Sequence, residues 1–299
     1  MARILVTGAA GFIGRALCRT LAARGHQVVG AVRDGATVIE GAELRPLGEL
    51  AADTDWAPVL SGAEIVVHLA QHAHRKAGGF EEEPATAAAL AWAAAAAGTR
   101  RIVYVSSIKA MGEETRPGHP FRADEEPQPR DPYGSGKLAT ERALAEVPGI
   151  ELVVIRPPLV YGPGVGANFH ALMRLVARGL PLPFAAIDNR RSFICIDNLT
   201  DLIAVAAQHP EAAGQTLLAG DGTDISTPAL IRALAAGLGV RARLFPCPGV
   251  GLLVPALARS AEIDASATRA RLDWVPPVTM EAGLAATAAS FRARRALYR

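Results

Sequence analysis

The sequence predicts an α/β protein built on a doubly wound parallel sheet, with a smaller mixed C-terminal part. Three observations carry this. Short β-branched runs alternate with helical stretches through the first half of the 299 residues. The runs are continuously apolar, as strands covered on both faces are. A glycine-rich turn separates the first run from the first helix.

Residues 4–6 read as the first strand and 12–23 as a helix that Gly25 ends. Residues 27–32 and 65–69 are further strands, and 85–97 an Ala-rich helix. Residues 102–105 form the next strand and 132–147 a helix. A strand over 152–155 stops at Pro157-Pro158. Beyond it the pattern loosens, with Gly162-Pro163-Gly164, a Gly- and Pro-punctuated stretch over 179–183, a helix over 198–208 and a run ending Trp274-Val275-Pro276-Pro277. The organisation expected is a first domain over 1–157 and a second part over 158–299, interleaved with it.

Half of the residues are hydrophobic and a fifth charged, which excludes a disordered or fibrous chain. A net charge of +2 gives no electrostatic case for nucleic-acid binding. No apolar run approaches the roughly 18 residues of a membrane helix, and the N-terminus enters a strand directly. Cys18, Cys195 and Cys247 are far apart, so a disulfide framework is not expected and a cytoplasmic location is. His68, His72 and His74 come without acidic ligands, and no metal is expected.

Thr7-Gly8-Ala9-Ala10-Gly11-Phe12-Ile13-Gly14 lies between the first strand and first helix. Gly8 suits the tight turn, Gly11 a close approach of backbone to a pyrophosphate, and Gly14 helix–strand packing. The helix start, with Phe12 and Ile13, offers free N–H groups and a positive dipole end to phosphates. A purely structural turn is the competing reading. At the end of the second strand Val32 holds the place of a ribose-binding acid, and Arg33 and Asp34 follow. An arginine there suits the extra phosphate of NADP, so NADP is favoured over NAD; a solvated surface arginine is the alternative.

Tyr133 and Lys137 are four apart at a helix start and share one face. The cation is expected to lower the phenol from about 10 towards the working pH, making Tyr133 a general acid or base for a carbonyl/alcohol pair. Ser106-Ser107 ends a strand upstream, where Ser107 suits the reacting oxygen. Strand-end capping is the plainer role for both serines.

With these motifs the chain resembles the extended short-chain dehydrogenase/reductases of the NAD-dependent epimerase/dehydratase family, which act on nucleotide sugars. The resemblance covers essentially the whole chain: residues 7–14, His68-Leu69-Ala70, 104–112, 133–137, 156–164, 191–199 and Leu272-Asp273-Trp274. It implies a Rossmann fold, a homodimer and hydride transfer through nicotinamide. Ser107 and Tyr133 would hold the reacting hydroxyl and Lys137 the nicotinamide ribose. Glu49 and Leu50 would border the adenine, Leu69 and Ala70 line the cofactor cleft, and Pro157 and Val160 abut the nicotinamide. Asn168 and Arg191 match positions where relatives hold a nucleotide diphosphate, a role that fits the forked donors of arginine. A loop amide and a surface arginine are the bland readings.

Departures narrow the chemistry. Gly136 replaces a serine usual in Tyr-Gly-x-Ser-Lys, and Glu83 stands where many relatives carry a helix-bending Asn. Ser107-Ile108-Lys109 replaces the Thr-Asp-Glu of the 4,6-dehydratases, so dehydration is not expected. What remains is redox at C4 of a UDP- or dTDP-hexose, with a 4-keto sugar-nucleotide reductase ahead of a UDP-glucose or UDP-N-acetylglucosamine 4-epimerase. The Ser-Ile-Lys, Asn-Phe and Arg-Ser-Phe segments are similar to those of bacterial enzymes from surface-polysaccharide loci. A non-catalytic NADP-binding regulator, which would lose the Tyr–Lys pair, and a reductase of apolar ketones are the other readings.

Overall fold

The structure is a computed structural model that describes residues 1–35, 38–70, 82–116 and 118–297. The elements run β1 (Arg3–Thr7), α1 (Phe12–Ala23), β2 (Gln27–Val32), β3 (Ala42–Pro46), α2 (Ala57–Leu60), β4 (Ile65–His68), α3 (Glu83–Ala96) and β5 (Arg101–Val105). After a short 3₁₀ turn, Ile108–Ala110, come α4 (Pro132–Ala145), β6 (Glu151–Arg156), β7 (Leu159–Tyr161), α5 (Ala167–Ala177), β8 (Phe193–Cys195), α6 (Ile196–Gln208) and β9 (Thr216–Leu218). The chain closes with α7 (Thr227–Leu238), α8 (Val250–Leu253), α9 (Pro255–Ala258), α10 (Ser266–Leu272) and α11 (Met280–Leu297).

Seven strands form a parallel sheet in the order β3-β2-β1-β4-β5-β6-β9. Strand order reverses between β1 and β4, where Thr7 pairs with His68. Ligands of doubly wound sheets bind at such a switch point, outside the carboxyl ends of the strands. Side chains alternate between the two faces along each strand. Ile4 and Val6 pack with Leu17, Leu199 and Leu202 under α1 and α6. Leu5 and Val66 pack with Trp56, Leu90 and Leu144 under α2, α3 and α4. Burial on both faces explains the continuous apolar runs.

The chain after residue 157 does two things. It returns α6 and β9 to the main sheet, and it builds a second core from α5, α7 and α11 around the two-stranded pair β7–β8. Asp221, just past β9, ties these pieces together. It accepts from the Tyr161 hydroxyl on β7 at 2.7 Å, from Asn198 Nδ2 on α6 at 2.7 Å and from the Cys195 N–H. Among the described residues no helix is long and apolar enough to cross a membrane.

Candidate active site

The β1–α1 connection sits at the switch point. Gly8 has a φ of +67°, a left-handed conformation that suits glycine. Gly14 lets α1 lie against the turn: a Cβ there would stand 2.2 Å from the Gly8 carbonyl oxygen. Gly11 caps the helix with no side-chain bond and no acid in the first turn, so the leading N–H groups keep their hydrogen-bonding capacity for an anion. Thr7 Oγ1 accepts from the N–H groups of Leu69 and Ala70 at 3.2 Å each, which locks the end of β4 beside the glycine turn. This arrangement fits the pyrophosphate of a dinucleotide.

From the turn a cleft of about 560 Å³ opens. Gly8, Gly11, Phe12, Ile13, Gly14, Arg33, Glu49, Leu50, Leu69 and Ala70, the residues the sequence assigns to the cofactor, all line it. Val32, Asp34, His68, Glu83, Thr86 and Val105 line it too. Arg33 and Asp34 are both exposed on its wall, so the end of β2 offers a cation and a carboxylate to whatever binds there. His68 is buried against Thr7, with Nδ1 at 2.8 Å from Oγ1, and stacks on Tyr104. Burial, with Lys137 nearby, holds its imidazole down to about 3, so it is neutral. Among the described residues no three His, Cys, Asp or Glu side chains cluster as a metal site would need. His72 and His74 lie outside the described residues.

At the far end of the cleft, three elements bring side chains together. Ser107 follows β5 and caps the 3₁₀ turn, its Oγ accepting from the Lys109 N–H at 3.2 Å. Tyr133 and Lys137 come from the first turns of α4. Asp131 caps α4 through the Gly134 N–H at 2.6 Å and also holds Lys109 Nζ at 2.8 Å. The catalytic helix is thereby pinned to the turn after β5, with a Cβ at Gly134 falling 2.3 Å from the Lys109 carbonyl oxygen. This brings the Ser107 hydroxyl near the Tyr133 phenol, close enough to pull its pKa down. The turn also bonds to Pro157, whose carbonyl accepts from the Ile108 N–H at 2.9 Å, and Val160 on β7 packs between the two large cores. Pro157, Val160, Tyr133 and Lys137 do not line the dinucleotide cleft; they stand beyond its inner end.

Lys137 is 1% exposed. Its Nζ donates to Glu83 Oε1 at 2.6 Å and to the Tyr104 hydroxyl at 3.0 Å, and stands 5.8 Å from the centre of the Tyr133 ring. Burial lowers the ammonium's pKa while the Glu83 carboxylate raises it. One turn on, Glu141 pairs with buried Arg156 and with Ser106, so α4 presents Tyr133, Lys137 and Glu141 along one face.

One expectation needs correction. The phenol of Tyr133 is not lowered by its lysine. Burial pushes it up to about 12, against the pull of the nearby Ser107 hydroxyl, and the Glu83 and Asp131 charges push the same way as burial. The spacing placed Lys137 correctly; it could not show that a carboxylate 54 residues upstream would engage the lysine first.

Asn168 is exposed in the first turn of α5. Arg191 is part-buried; its guanidinium donates to the Ala256 carbonyl, and burial alone lowers its pKa. Among the described residues it has no carboxylate partner, whereas neighbouring Arg190 pairs with Glu262 at 2.9 Å.

Over residues 4–220 the sequence matches the NAD dependent epimerase/dehydratase family. It is 38% identical to the UDP-glucose 4-epimerase of Vibrio cholerae over 96% of this chain and 95% of that one. It is 32% identical to the UDP-glucose 4-epimerase of Mycolicibacterium smegmatis, over 97% and 98%. Among solved structures, UDP-glucuronic acid 4-epimerase from Bacillus cereus in complex with UDP-glucuronic acid and NAD superposes with a TM-score of 0.81 at 24% identity, over 98% of this chain and 99% of that one. The family match runs from β1 through β9, the whole of the main sheet, and the two relatives align along nearly the full length; the chain belongs to the NAD dependent epimerase/dehydratase family.

Proposed function

We propose that the chain is an NAD(P)-dependent enzyme that moves hydride at C4 of a nucleotide sugar, with 4-epimerisation of a UDP-hexose as the first reading. The observation that carries the chemistry is Lys137 Nζ 5.8 Å from the Tyr133 ring, with Ser107 near the phenol, beyond the inner end of the dinucleotide cleft. The names of the full-length relatives support the epimerase. Arg33 on the cleft wall supports the second reading, a 4-keto sugar-nucleotide reductase that consumes NADPH.

A bound dinucleotide would supply the hydride acceptor and donor for C4. The residues of the chain do the rest. The α1 N-terminus and glycine turn hold the pyrophosphate. Ser107 and Tyr133 share the C4 oxygen between them. A phenol held protonated is ready to donate to a 4-keto oxygen, and by microscopic reversibility the same oxygen takes the hydroxyl proton in the opposite direction. Lys137 stands behind the ring and supplies a positive field that Glu83 balances. Residues 1–157 would carry the cofactor, and 158–299 would close over the sugar nucleotide. There Arg191, a cation without a carboxylate partner among the described residues, and Asn168 would meet the diphosphate.

The test is a panel of UDP- and dTDP-hexoses and their 4-keto forms, with and without added NADPH or NADH. C4 inversion without net cofactor consumption supports the epimerase. Stoichiometric consumption with a 4-keto substrate supports the reductase. Neither outcome, with cofactor bound, would remove the nucleotide sugar from the proposal.

A further inference from the structure

Glu83 is the first residue of α3, and it lines the cleft next to Thr86, His68 and Val105. It is 3% exposed. Its Oε1 takes Lys137 Nζ at 2.6 Å and the Tyr104 hydroxyl at 3.2 Å. A carboxylate is favoured at a helix N-terminus, so α3 itself helps to hold it.

The end of the cleft at which it stands follows from the chemistry. Hydride must reach the carbon whose oxygen Ser107 and Tyr133 hold. The nicotinamide of any bound dinucleotide therefore comes to the end where Lys137 and Glu83 meet. The two redox forms of that ring differ by one charge: the oxidised ring is cationic and the reduced ring neutral. The charge of the protein at this point therefore selects between them.

His68 on β4 is held neutral, down to about 3. Tyr104 on β5 is pushed well above its ordinary value and Tyr133 on α4 up to about 12, so both are neutral. Glu141, one turn beyond Lys137, is matched by Arg156, and Asp131 at the α4 cap is matched by Lys109. Among these groups the unshared charges are Lys137 and Glu83, and they cancel.

We propose that Glu83 sets the redox preference of the cofactor site. By balancing Lys137 it lets the cleft hold the oxidised, cationic nicotinamide, where an uncharged residue at 83 would leave a net positive end that favours the reduced ring. The inference deepens the functional reading above and rests on its assignment of the cleft to NAD(P).

The test is binding, not turnover. Dissociation constants of the oxidised and reduced dinucleotide are measured by calorimetry for the wild type, Glu83→Gln, Lys137→Met and the double variant. In Glu83→Gln, read near pH 6 so that Lys137 keeps its proton, the ratio of the oxidised to the reduced constant rises about tenfold, a Coulombic effect of one charge across a few ångströms of protein. In Lys137→Met, read near pH 8, the ratio falls by about as much. The double variant returns to within about twofold of the wild type. A tenfold change is about 30 mV in the potential of the bound two-electron couple. A merely structural role weakens both forms together and leaves the ratio alone. Single variants whose ratios stay within about twofold of the wild type overturn the inference and spare the cofactor reading. If neither form binds the wild type, the cofactor reading falls and the inference falls with it. Should Glu83→Gln fail to fold, Lys137→Met decides by the opposite sign.

Discussion

At the dinucleotide end the cleft is made of backbone: a glycine turn with no room for a Cβ, and the bare N–H groups of α1. Beyond its inner end, where the chemistry belongs, stand buried ionisable side chains drawn from α3, β5 and α4, with Lys137 holding both Glu83 and Tyr104. The first end depends on shape and on dipoles fixed by the fold. The second depends on charge balance, which one substitution upsets. The lesson is that similar burial produces two kinds of sensitivity. The backbone end fails when something is added, the side-chain end when something is taken away.

The largest expected effect tests the second half of that contrast. Tyr133→Phe removes one hydroxyl and keeps the ring on α4. Turnover should fall by about two to four orders of magnitude with dinucleotide affinity nearly unchanged. Near wild-type turnover would show that the proton moves elsewhere.

Gly14→Val tests the first half. The new Cβ meets the Gly8 carbonyl oxygen at 2.2 Å and Ala9 Cα at 2.7 Å, both backbone that cannot swing away. A loss of roughly 3 kcal/mol in denaturant unfolding is expected, together with loss of dinucleotide binding. Binding retained at full strength would mean that the turn tolerates a displaced helix and that its shape is not the determinant.

His68 joins the two ends, and its signature is in acid. The native imidazole titrates at about 3, well below the ordinary 6.5. The unfolded chain therefore takes up a proton that the native state refuses. Stability from this group is full above 6.5 and is lost as pH falls from there towards 3. Two units below 6.5, the wild type should have lost roughly 2–3 kcal/mol relative to a His68→Gln variant. Parallel stability curves for the two proteins across that range would show that the imidazole is not held neutral.

The smallest effect concerns the cofactor phosphate. Arg33→Ala should weaken NADP about tenfold relative to NAD, the size of one solvent-exposed hydrogen bond to a charged group. Equal losses for both would return Arg33 to the solvent.

Much of the molecule was legible before folding was considered. The apolar runs named β1, β2, β4, β5 and β6, because a buried parallel strand has no other way to be written. The span from Thr7 to Gly14 located the phosphate turn, since local backbone demands are met by local residues. Elements held together by distant partners were not legible. Strand β3, whose residues are largely exposed, carries no apolar pattern, and β9 is three residues long. The helices α5, α7 and α11 bury their faces against one another and against β7 and β8, in a core that no single segment announces.

By itself, then, the sequence determined the fold class, the place of the dinucleotide turn and the pairing of Tyr133 with Lys137 on one helix face. These are relations within a few residues, set by the periods of strand and helix. Only the tertiary structure decided the electrostatics of the site. Glu83 reaches Lys137 across 54 positions, and Asp131 reaches Lys109 across 22, because α3, α4 and the turn after β5 pack together. Packing removes water, and that burial is the main reason the phenol rises, with the Glu83 and Asp131 charges adding to it, where the local spacing alone would have had it fall.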